Sequence, residues 1–181
     1  MHYTLCDMVA DLTQNSSEAG AKKITVEFTE TLKDLTVYIR DDGKGMSPEV
    51  LKRVTDPFYT DGVKHPKRKV GLGIPFLIQT ATETNGQWKI TSKEGQGTTV
   101  FMRFDLTNID TPPIGNVPSL FRQLLTLPNN FEMEILRKKE EKDSTLKYEL
   151  LRSEIVDALG GLETAANLAL LGEFLESQET E

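Results

Sequence analysis

Two runs of alternating apolar residues, separated by a short polar stretch, constrain the fold of this chain most strongly. Apolar side chains occupy every second position in residues 24–28 and again in residues 35–39. This period of two predicts two β-strands, each with one buried face. The intervening "ETLKD" is short enough to join the strands as a hairpin. We therefore expect a sheet that buries one of its faces.

Helical patterns surround this predicted hairpin. Apolar residues recur at helical spacing in residues 3–18 and 74–83, and a Ser-Pro pair at residues 47–48 begins a short helix. A long charged loop is predicted for residues 56–70, and two further strands begin at Trp88 and in "TTVFMRFDL". The order α-β-β-α-loop-α-β-β predicts an α+β, two-layer sandwich in which helices cover one face of the sheet.

The sequence changes character after about residue 106. The stretch "TNIDTPPIGNVP" is rich in proline and predicts a linker, which a short apolar helix follows in residues 119–127. Alternation in "FEMEILRKK" and "TLKYEL" predicts a second hairpin, and two helices precede "SQETE", which we expect to fray. We therefore divide the chain into an N-terminal domain, residues 1–106, and a small C-terminal α+β extension, residues 107–181. The pattern leaves open whether the extension docks on the first sheet or on a partner.

Composition excludes several classes of function. The net charge is −7 and the pI is near 5.0, whereas nonspecific binding to nucleic acid or to an anionic membrane needs a basic face. No apolar run approaches the length of a membrane span, and the N-terminal residues lack the basic region of a signal peptide. Cys6 is the only cysteine, so no disulfide can form within the chain. We therefore expect a cytoplasmic protein that binds neither nucleic acid nor membrane.

Three loops carry glycines, and one helix carries a pair of oxygen ligands. "RDDGKGM" follows the second strand, "KVGLGIP" precedes a helix and "EGQGTT" joins two strands. Glycine lets a backbone approach a ligand closely, and a helix N-terminus offers N–H groups to anions. Asp11 and Asn15 are four residues apart and share a helix face, where a carboxylate and a carboxamide suit a hydrated Mg²⁺. Each element alone is ambiguous, because ordinary turn chemistry would also explain it.

Taken together, these elements resemble the motifs of one ATPase family in both order and spacing. The motifs are "DLTQNSSEAGA" from Asp11, "DDGKG" from Asp41, "DPFYT" from Asp56, "GLG" from Gly71 and "GQGT" from Gly95. They are similar to those of the ATPase domain shared by gyrase, Hsp90-type chaperones, histidine kinases and mismatch-repair ATPases, the GHKL superfamily. The resemblance is to its histidine-kinase-like members and covers residues 1–106. It implies the Bergerat ATP-binding fold, a mixed sheet with helices on one face.

The resemblance also implies roles for individual residues. Asp41 would accept a hydrogen bond from the adenine amino group of ATP, which would account for a costly buried carboxylate. Asn15 would ligate Mg²⁺, and Asp11 would be the general base, although it is one methylene shorter than the Glu of many relatives. Arg68 and Lys69 are alternatives for a phosphate contact. The nucleotide-binding residues that the resemblance implies, besides Asn15 and Asp41, are Gly43, Gly45, Met46, Phe58, Arg68, Lys69, Gly71, Leu72, Gly73 and Thr98.

A narrower resemblance concerns possible partners. "DPF…RKVGLGIP" followed by "IDTPPIGNV" resembles small ATP-binding proteins found with bacterial iron–iron hydrogenases and NADH-linked redox subunits. The sequence departs from that pattern at Asp61-Gly62, where we expect a further Thr and a basic residue. This resemblance implies a protein partner of the hydrogenase or NADH-linked redox class, and a homodimer is also open.

Two classes of function follow from these expectations. In the first, the chain is a partner-dependent, regulatory protein kinase or ATPase that uses Mg-ATP, and an anti-sigma-type serine kinase is one such type. In the second, it is a nucleotide-responsive binding module without turnover. The Asn motif begins so early that we expect no upstream phosphoacceptor domain, and the residues after 106 are too few for a gyrase-like transducer. Asp11 and the basic residues of the predicted loop at 56–70 favour the first class. The missing phosphoacceptor favours the second.

Overall fold

The computed structural model describes residues 3–56 and 73–180 of the chain, which form six helices and six strands within those ranges. The elements are α1 (Leu5–Glu18), β1 (Lys23–Glu30), β2 (Asp34–Asp41), α2 (Pro48–Thr55), α3 (Gly73–Thr84), β3 (Gln87–Lys93), β4 (Gly97–Asp105), α4 (Val117–Leu125), β5 (Glu132–Glu140), β6 (Thr145–Leu151), α5 (Arg152–Leu159) and α6 (Ala165–Thr180). The predicted loop at residues 56–70 lies outside the described residues after Asp56.

The strands form one mixed sheet in the order β3-β4-β2-β1-β5-β6. Neighbouring strands are antiparallel except β1 and β5, which are parallel. Helices α1 to α5 contact the strands, and α6 packs on α4 and α5. The protein is therefore α+β with a six-stranded mixed sheet, and the predicted fold class is confirmed.

The first hairpin forms for the reason that its alternation indicates. Ile24, Val26 and Phe28 in β1 are fully buried, while the residues between them are partly exposed. β2 repeats this pattern in antiparallel register with β1. The turn closes where the Thr31 N–H donates to the Asp34 carbonyl over 2.8 Å and the Asp34 N–H donates to Thr31 Oγ1 over 2.9 Å. One face of the hairpin thus contributes to the core.

Polar caps set where the helices begin. A capping box joins Thr4 and Asp7, so α1 begins at Leu5, two residues later than the apolar spacing predicts. The Ser47 side chain caps α2, which has Pro48 in its first turn, as predicted. One side of α1 is buried against the sheet. Caps of this kind fix the position of α1 and α2 beside the loops that carry the motif residues.

The second hairpin extends the first sheet. β5 pairs with β1 in parallel register, and β6 pairs with β5. The question of where the C-terminal extension docks is thereby answered, because its strands join the N-terminal sheet at one edge. A division of the chain at residue 106 stays a prediction. The expectation that "SQETE" frays is wrong for residues 177–180, which continue α6, because Glu179 is held by buried Arg137.

Candidate functional site

A row of polar side chains crosses three neighbouring strands at one end of the sheet. Asp41, the last residue of β2, is the register partner of Thr98 in β4. Thr98 in turn pairs with Ser92 in β3, and their hydroxyl oxygens are 2.8 Å apart. Directly opposed residues of antiparallel strands project to the same face. The structure therefore brings two predicted site residues, Asp41 and Thr98, side by side.

Two donors hold the partly buried carboxylate of Asp41. The Ser16 hydroxyl on α1 donates to Oδ2 over 2.6 Å, and the Gly43 N–H donates to Oδ1 over 2.9 Å. Each carboxylate oxygen can accept more than one hydrogen bond, so capacity for a further donor is left. Gly43 is buried, and a Cβ there would come 3.0 Å from both Ala19 Cβ and Asp41 Oδ1. A fixed carboxylate with acceptor capacity fits an amino group such as that of adenine.

The neighbouring acid, Asp42, bonds to the backbone at the start of β1. It is exposed, and its Oδ1 accepts hydrogen bonds from the backbone N–H groups of Lys22 and Lys23 over 2.7 and 2.9 Å. The bonds from Lys23 and Lys22 hold the pKa of Asp42 below its ordinary value. Asp42 thus anchors the start of β1, and Asp41 is the acid that faces the site.

Two glycines let the loops around Asp41 pack closely. Gly45 has φ +64°, and a Cβ there would lie 2.0 Å from the Lys93 carbonyl oxygen. Gly97 has φ +100°, and its Cβ would lie 1.9 Å from the carbonyl oxygen of Asp41. The Gly95 N–H also donates to the Lys44 carbonyl over 2.7 Å. These contacts explain glycine at 45 and 97 by packing, and a contact of Gly45 with a base stays a prediction.

Met46 joins this region to the core. Its backbone N–H donates to Ser92 Oγ over 2.8 Å, and its side chain packs against the hydrophobic core. Ser92 also donates to the Gly97 carbonyl over 3.1 Å. Ser92 therefore connects the loop after β2 to the turn between β3 and β4, next to Thr98.

Helix α1, whose Ser16 contacts Asp41, also carries the predicted acid and the predicted metal ligand. Asp11 and Asn15, one helical turn apart, are both partly exposed. At the start of α3, a Cβ on Gly73 would come within 3.2 Å of Asp11 Cβ, so the two helices meet at these residues. The predicted catalytic acid and the last glycine of "GLG" are thus neighbours.

Tyr3 is a further neighbour of Asp11. Its hydroxyl donates to Asp11 Oδ2 over 3.3 Å, and its ring stacks on Phe76 of α3 at 4.2 Å between centroids. Burial, with the negative charge of Asp11, raises the pKa of Tyr3 far above its ordinary value. The phenol therefore stays protonated as a donor to Asp11.

The donor set on α1 fits a magnesium ion. Mg²⁺ keeps several waters and takes one or two protein oxygens together with substrate phosphates, so a cage of protein ligands is unnecessary. Within residues 3–56 and 73–180, no group of three His, Cys, Asp or Glu side chains is placed to hold a metal. The predicted residues that lie outside the described ranges are Phe58, Arg68, Lys69, Gly71 and Leu72.

Sequence reasoning missed Ser16, Ser92 and Tyr3. Ser92 could have been found, because a hairpin turning at residues 94–96 places residue 92 opposite residue 98. Ser16 follows Asn15 directly, but its bond to Asp41 depends on how α1 lies on the sheet. That packing angle has no signature in local periodicity.

Comparison with known proteins agrees with this geometry. A family model described as "Histidine kinase-, DNA gyrase B-, and HSP90-like ATPase" matches residues 3–108, more than half of the 181-residue chain. The chain belongs to this family. Membership of the family means an ATP-binding, kinase-like module, and residues 3–108 contain the row of side chains around Asp41.

Bacterial relatives align with parts of this chain. Sporulation kinase C of Bacillus subtilis is 30% identical over 89 residues, which are 48% of this chain and 20% of that protein. A putative NtrY-like sensor histidine kinase of Rickettsia conorii is 27% identical over 107 residues, 57% of this chain and 17% of that protein. Sensor protein KdpD of Clostridium acetobutylicum is 31% identical over 98 residues, 52% of this chain and 11% of that protein. The chain thus spans about a fifth or less of these relatives.

Among residues 3–56 and 73–180, no helix combines the length and the apolar character needed to cross a bilayer.

Proposed function

We propose that this chain is a Mg-ATP-binding, histidine-kinase-like module that acts as a partner-dependent, regulatory protein kinase or ATPase. The observation that carries the proposal is the Asp41 carboxylate, held by Ser16 and Gly43 and aligned with Thr98 across the strands. This arrangement offers a fixed acceptor to the adenine amino group. Thr98, bonded to Ser92, would support the base through a water.

The phosphate end of the nucleotide would lie toward α1 and the start of α3. Asn15 would hold Mg²⁺, which when bound neutralises charge on the phosphate oxygens. The backbone N–H groups around Gly73 at the first turn of α3 would donate to the phosphates. Gly71, Leu72 and one of the basic residues at 68 and 69 would complete this contact, and Phe58 would line the pocket.

Asp11 would be the general base of the reaction. It would take a proton from water in hydrolysis, or from an acceptor hydroxyl in phosphoryl transfer, as the oxygen attacks the γ-phosphorus and the bond to the ADP oxygen breaks. The Tyr3 hydroxyl occupies one acceptor position of this carboxylate. Because Asp also reaches less far than Glu, slow turnover without a partner follows.

The second candidate function is a nucleotide-responsive binding module without turnover. The hydrogen bond from Tyr3 to Asp11 favours it, because a carboxylate that already accepts a bond is a less available base. In either function a protein partner completes the activity. We propose the hydrogenase or NADH-linked redox class for that partner, on the resemblance of "IDTPPIGNV" and its neighbours, and a homodimer is the alternative assembly.

Nucleotide binding is tested by calorimetry with two single substitutions. Asp41→Asn should weaken ATP binding by about tenfold or more with or without Mg²⁺, because it replaces the acceptor by a group that also donates. Asn15→Ala should weaken only the Mg²⁺-dependent part of the affinity. Gln14→Ala, at an exposed position of α1, is the matched control and should bind as wild type. Equal affinity of wild type and Asp41→Asn would refute the assignment of the adenine site.

Turnover is tested with γ-labelled ATP, for the chain alone and with candidate partner proteins. Asp11→Asn should lower phosphate release or transfer by about a hundredfold, the range ascribed to a general base, while ATP affinity stays near that of wild type. Equal rates for wild type and Asp11→Asn would remove Asp11 from catalysis. Tight ATP binding without any label on protein and without free phosphate would favour the second candidate function.

A further inference from the structure

An apolar groove lies at the β6 edge of the sheet, opposite the β3 edge. None of the residues proposed to bind ATP lines it. β6, α5 and α6 form its walls, and its volume is about 310 Å³. The apolar lining includes Leu151, Ile155, Leu159 and Phe174. β6 is the outermost of the described strands on that side of the sheet. The groove therefore lies at an edge of the described sheet.

The α6 wall of this groove carries exposed apolar side chains. Phe174 lines the groove and is 41% exposed. Leu170, one helical turn away and outside the groove lining, is 51% exposed. Leu171 and Leu175 of the same helix are fully buried. α6 packs on α4, which packs on α1, so these helices form a layer over the sheet. A helix laid beside Leu170 and Phe174 would extend this layer by one member.

Acidic residues dominate the chain around the groove. The groove lining contains two charged residues, and both are acidic. Glu149 and Glu154 line the groove and are exposed. The guanidinium of Arg152 donates to the carbonyls of Leu125 and Phe131 instead of projecting into the groove wall. An apolar groove with an acidic rim is complementary to an apolar stripe with basic flanks.

We propose that this groove, defined by β6, α5 and α6, is a docking site for an amphipathic helix of a partner protein. The bound helix presents apolar residues at i, i+3 or i+4 and i+7 to the groove, with Lys and Arg on both sides of that stripe. A second copy of this chain is a poor occupant, because it would bring a second set of acidic residues against Glu149 and Glu154. The site is independent of the nucleotide cleft, so it goes beyond the proposed function.

The test uses this chain of 181 residues and a fluorescein-labelled synthetic helical peptide of about 18 residues with a leucine stripe and lysine flanks. Two further peptides serve as comparisons, one with glutamate in place of lysine and one with the same composition in scrambled order. Fluorescence anisotropy should show that the basic amphipathic peptide binds at least about tenfold more tightly than both comparison peptides. Higher salt should weaken this preference.

Variants of the protein locate the binding site. Phe174→Asp should weaken binding of the basic peptide by about tenfold or more, because a charge would replace the apolar wall. Ile109→Asp, at a position 96% exposed in the segment between β4 and α4, is the matched control and should bind as wild type. Glu149→Lys combined with Glu154→Lys should transfer the preference to the acidic peptide. Because these two residues are exposed, the double variant should fold as wild type. Its peptide preference therefore tests the groove even if Phe174→Asp fails to fold.

Two results would overturn the proposal. Equal binding of the ordered and scrambled basic peptides would indicate general attraction to a chain of net charge −7. A dimer in sedimentation that Phe174→Asp dissociates would identify a second copy as the occupant. Asp41→Asn should leave peptide binding unchanged, so failure of the groove and failure of the ATP site are distinguishable.

Discussion

The Asp41 carboxylate shows how single residues define this site. A carboxylate at the end of a strand would rotate freely in water, but Ser16 and Gly43 each donate to one of its oxygens. The two bonds fix the direction of the remaining lone pairs. A ligand amino group then loses less entropy on binding, because its acceptor is already oriented.

Replacement of Ser16 tests this preorganisation. Ser16→Ala should weaken ATP binding by about tenfold, since a hydrogen bond to a charged group contributes about 1.5–3 kcal/mol and part is recovered by water. The neighbouring Ser17 is the matched control, because its hydroxyl donates to the Pro128 carbonyl and does not touch Asp41. Ser17→Ala should reduce thermal stability and leave ATP affinity unchanged. Calorimetry and thermal unfolding measure the two effects, and a reversed pattern would contradict the assignment.

At the scale of elements, the site depends on two loops that approach each other. The loop after β2 and the turn between β3 and β4 meet at Gly45 and Gly97, where a Cβ would overlap a backbone carbonyl. Backbone contacts this short cannot be relieved by rotation of a side chain. The position of Asp41 relative to Thr98 therefore depends on glycine at both positions.

A pair of glycine substitutions in the same turn tests this dependence. Gly97→Ala should destabilise the fold by about 3 kcal/mol or more and weaken ATP binding, because it adds strain at positive φ and overlaps the Asp41 carbonyl. Gly95 also has positive φ, at +75°, but nothing lies within 4 Å of its Cβ position. Gly95→Ala should therefore cost only the strain, about 1 kcal/mol, and keep ATP affinity. Denaturant unfolding and calorimetry compare the two, and equal losses of ATP affinity would contradict the packing argument.

At the scale of the whole molecule, a buried charge cluster joins the C-terminal helix to the sheet. Arg137 of β5 is 1% exposed and pairs with Glu30 of β1 over 2.6 Å and with Glu179 of α6 over 2.8 Å. The Tyr148 hydroxyl of β6 donates to Glu179 over 2.6 Å. Glu30 and Arg137, which are 107 positions apart in sequence, thus form an ion pair. The bonds to Glu179 fix the last turn of α6.

Such distant pairing marks the limit of what local sequence patterns predict here. Periods of two and 3.6 and the cap at Ser47 suffice to predict the order of the elements, because these signals are local. The parallel pairing of β5 with β1 has no local signal. Arg137 lies on the buried face of an alternating strand, where a charge is unexpected without knowledge of Glu30 and Glu179. The ordered end of α6 was missed for the same reason.

Removal of the central charge tests the cluster. Arg137→Met should destabilise the protein by about 3–5 kcal/mol at pH 7, because Glu30 and Glu179 would remain close together without a cation. Arg103, whose side chain is 46% exposed and pairs with Asp34, is the matched control. Arg103→Met should unfold at nearly the same denaturant concentration as wild type. Circular dichroism follows unfolding, and similar losses for the two variants would contradict a structural role of the cluster.

The cluster also predicts how stability depends on acid. Burial would raise the pKa of Glu179, but hydrogen bonds from Arg137 and Tyr148 outweigh it and hold that pKa below its ordinary value of about 4.5. A carboxyl group with a lowered folded pKa contributes stability above its unfolded pKa and loses it as the pH falls through the folded value. Wild type should therefore lose stability progressively below about pH 4.5, whereas Glu179→Gln, less stable at pH 7, should lose less over that interval. Unfolding free energies at pH 7 and in acid measure the difference, and parallel losses in the two proteins would exclude Glu179 as the titrating group.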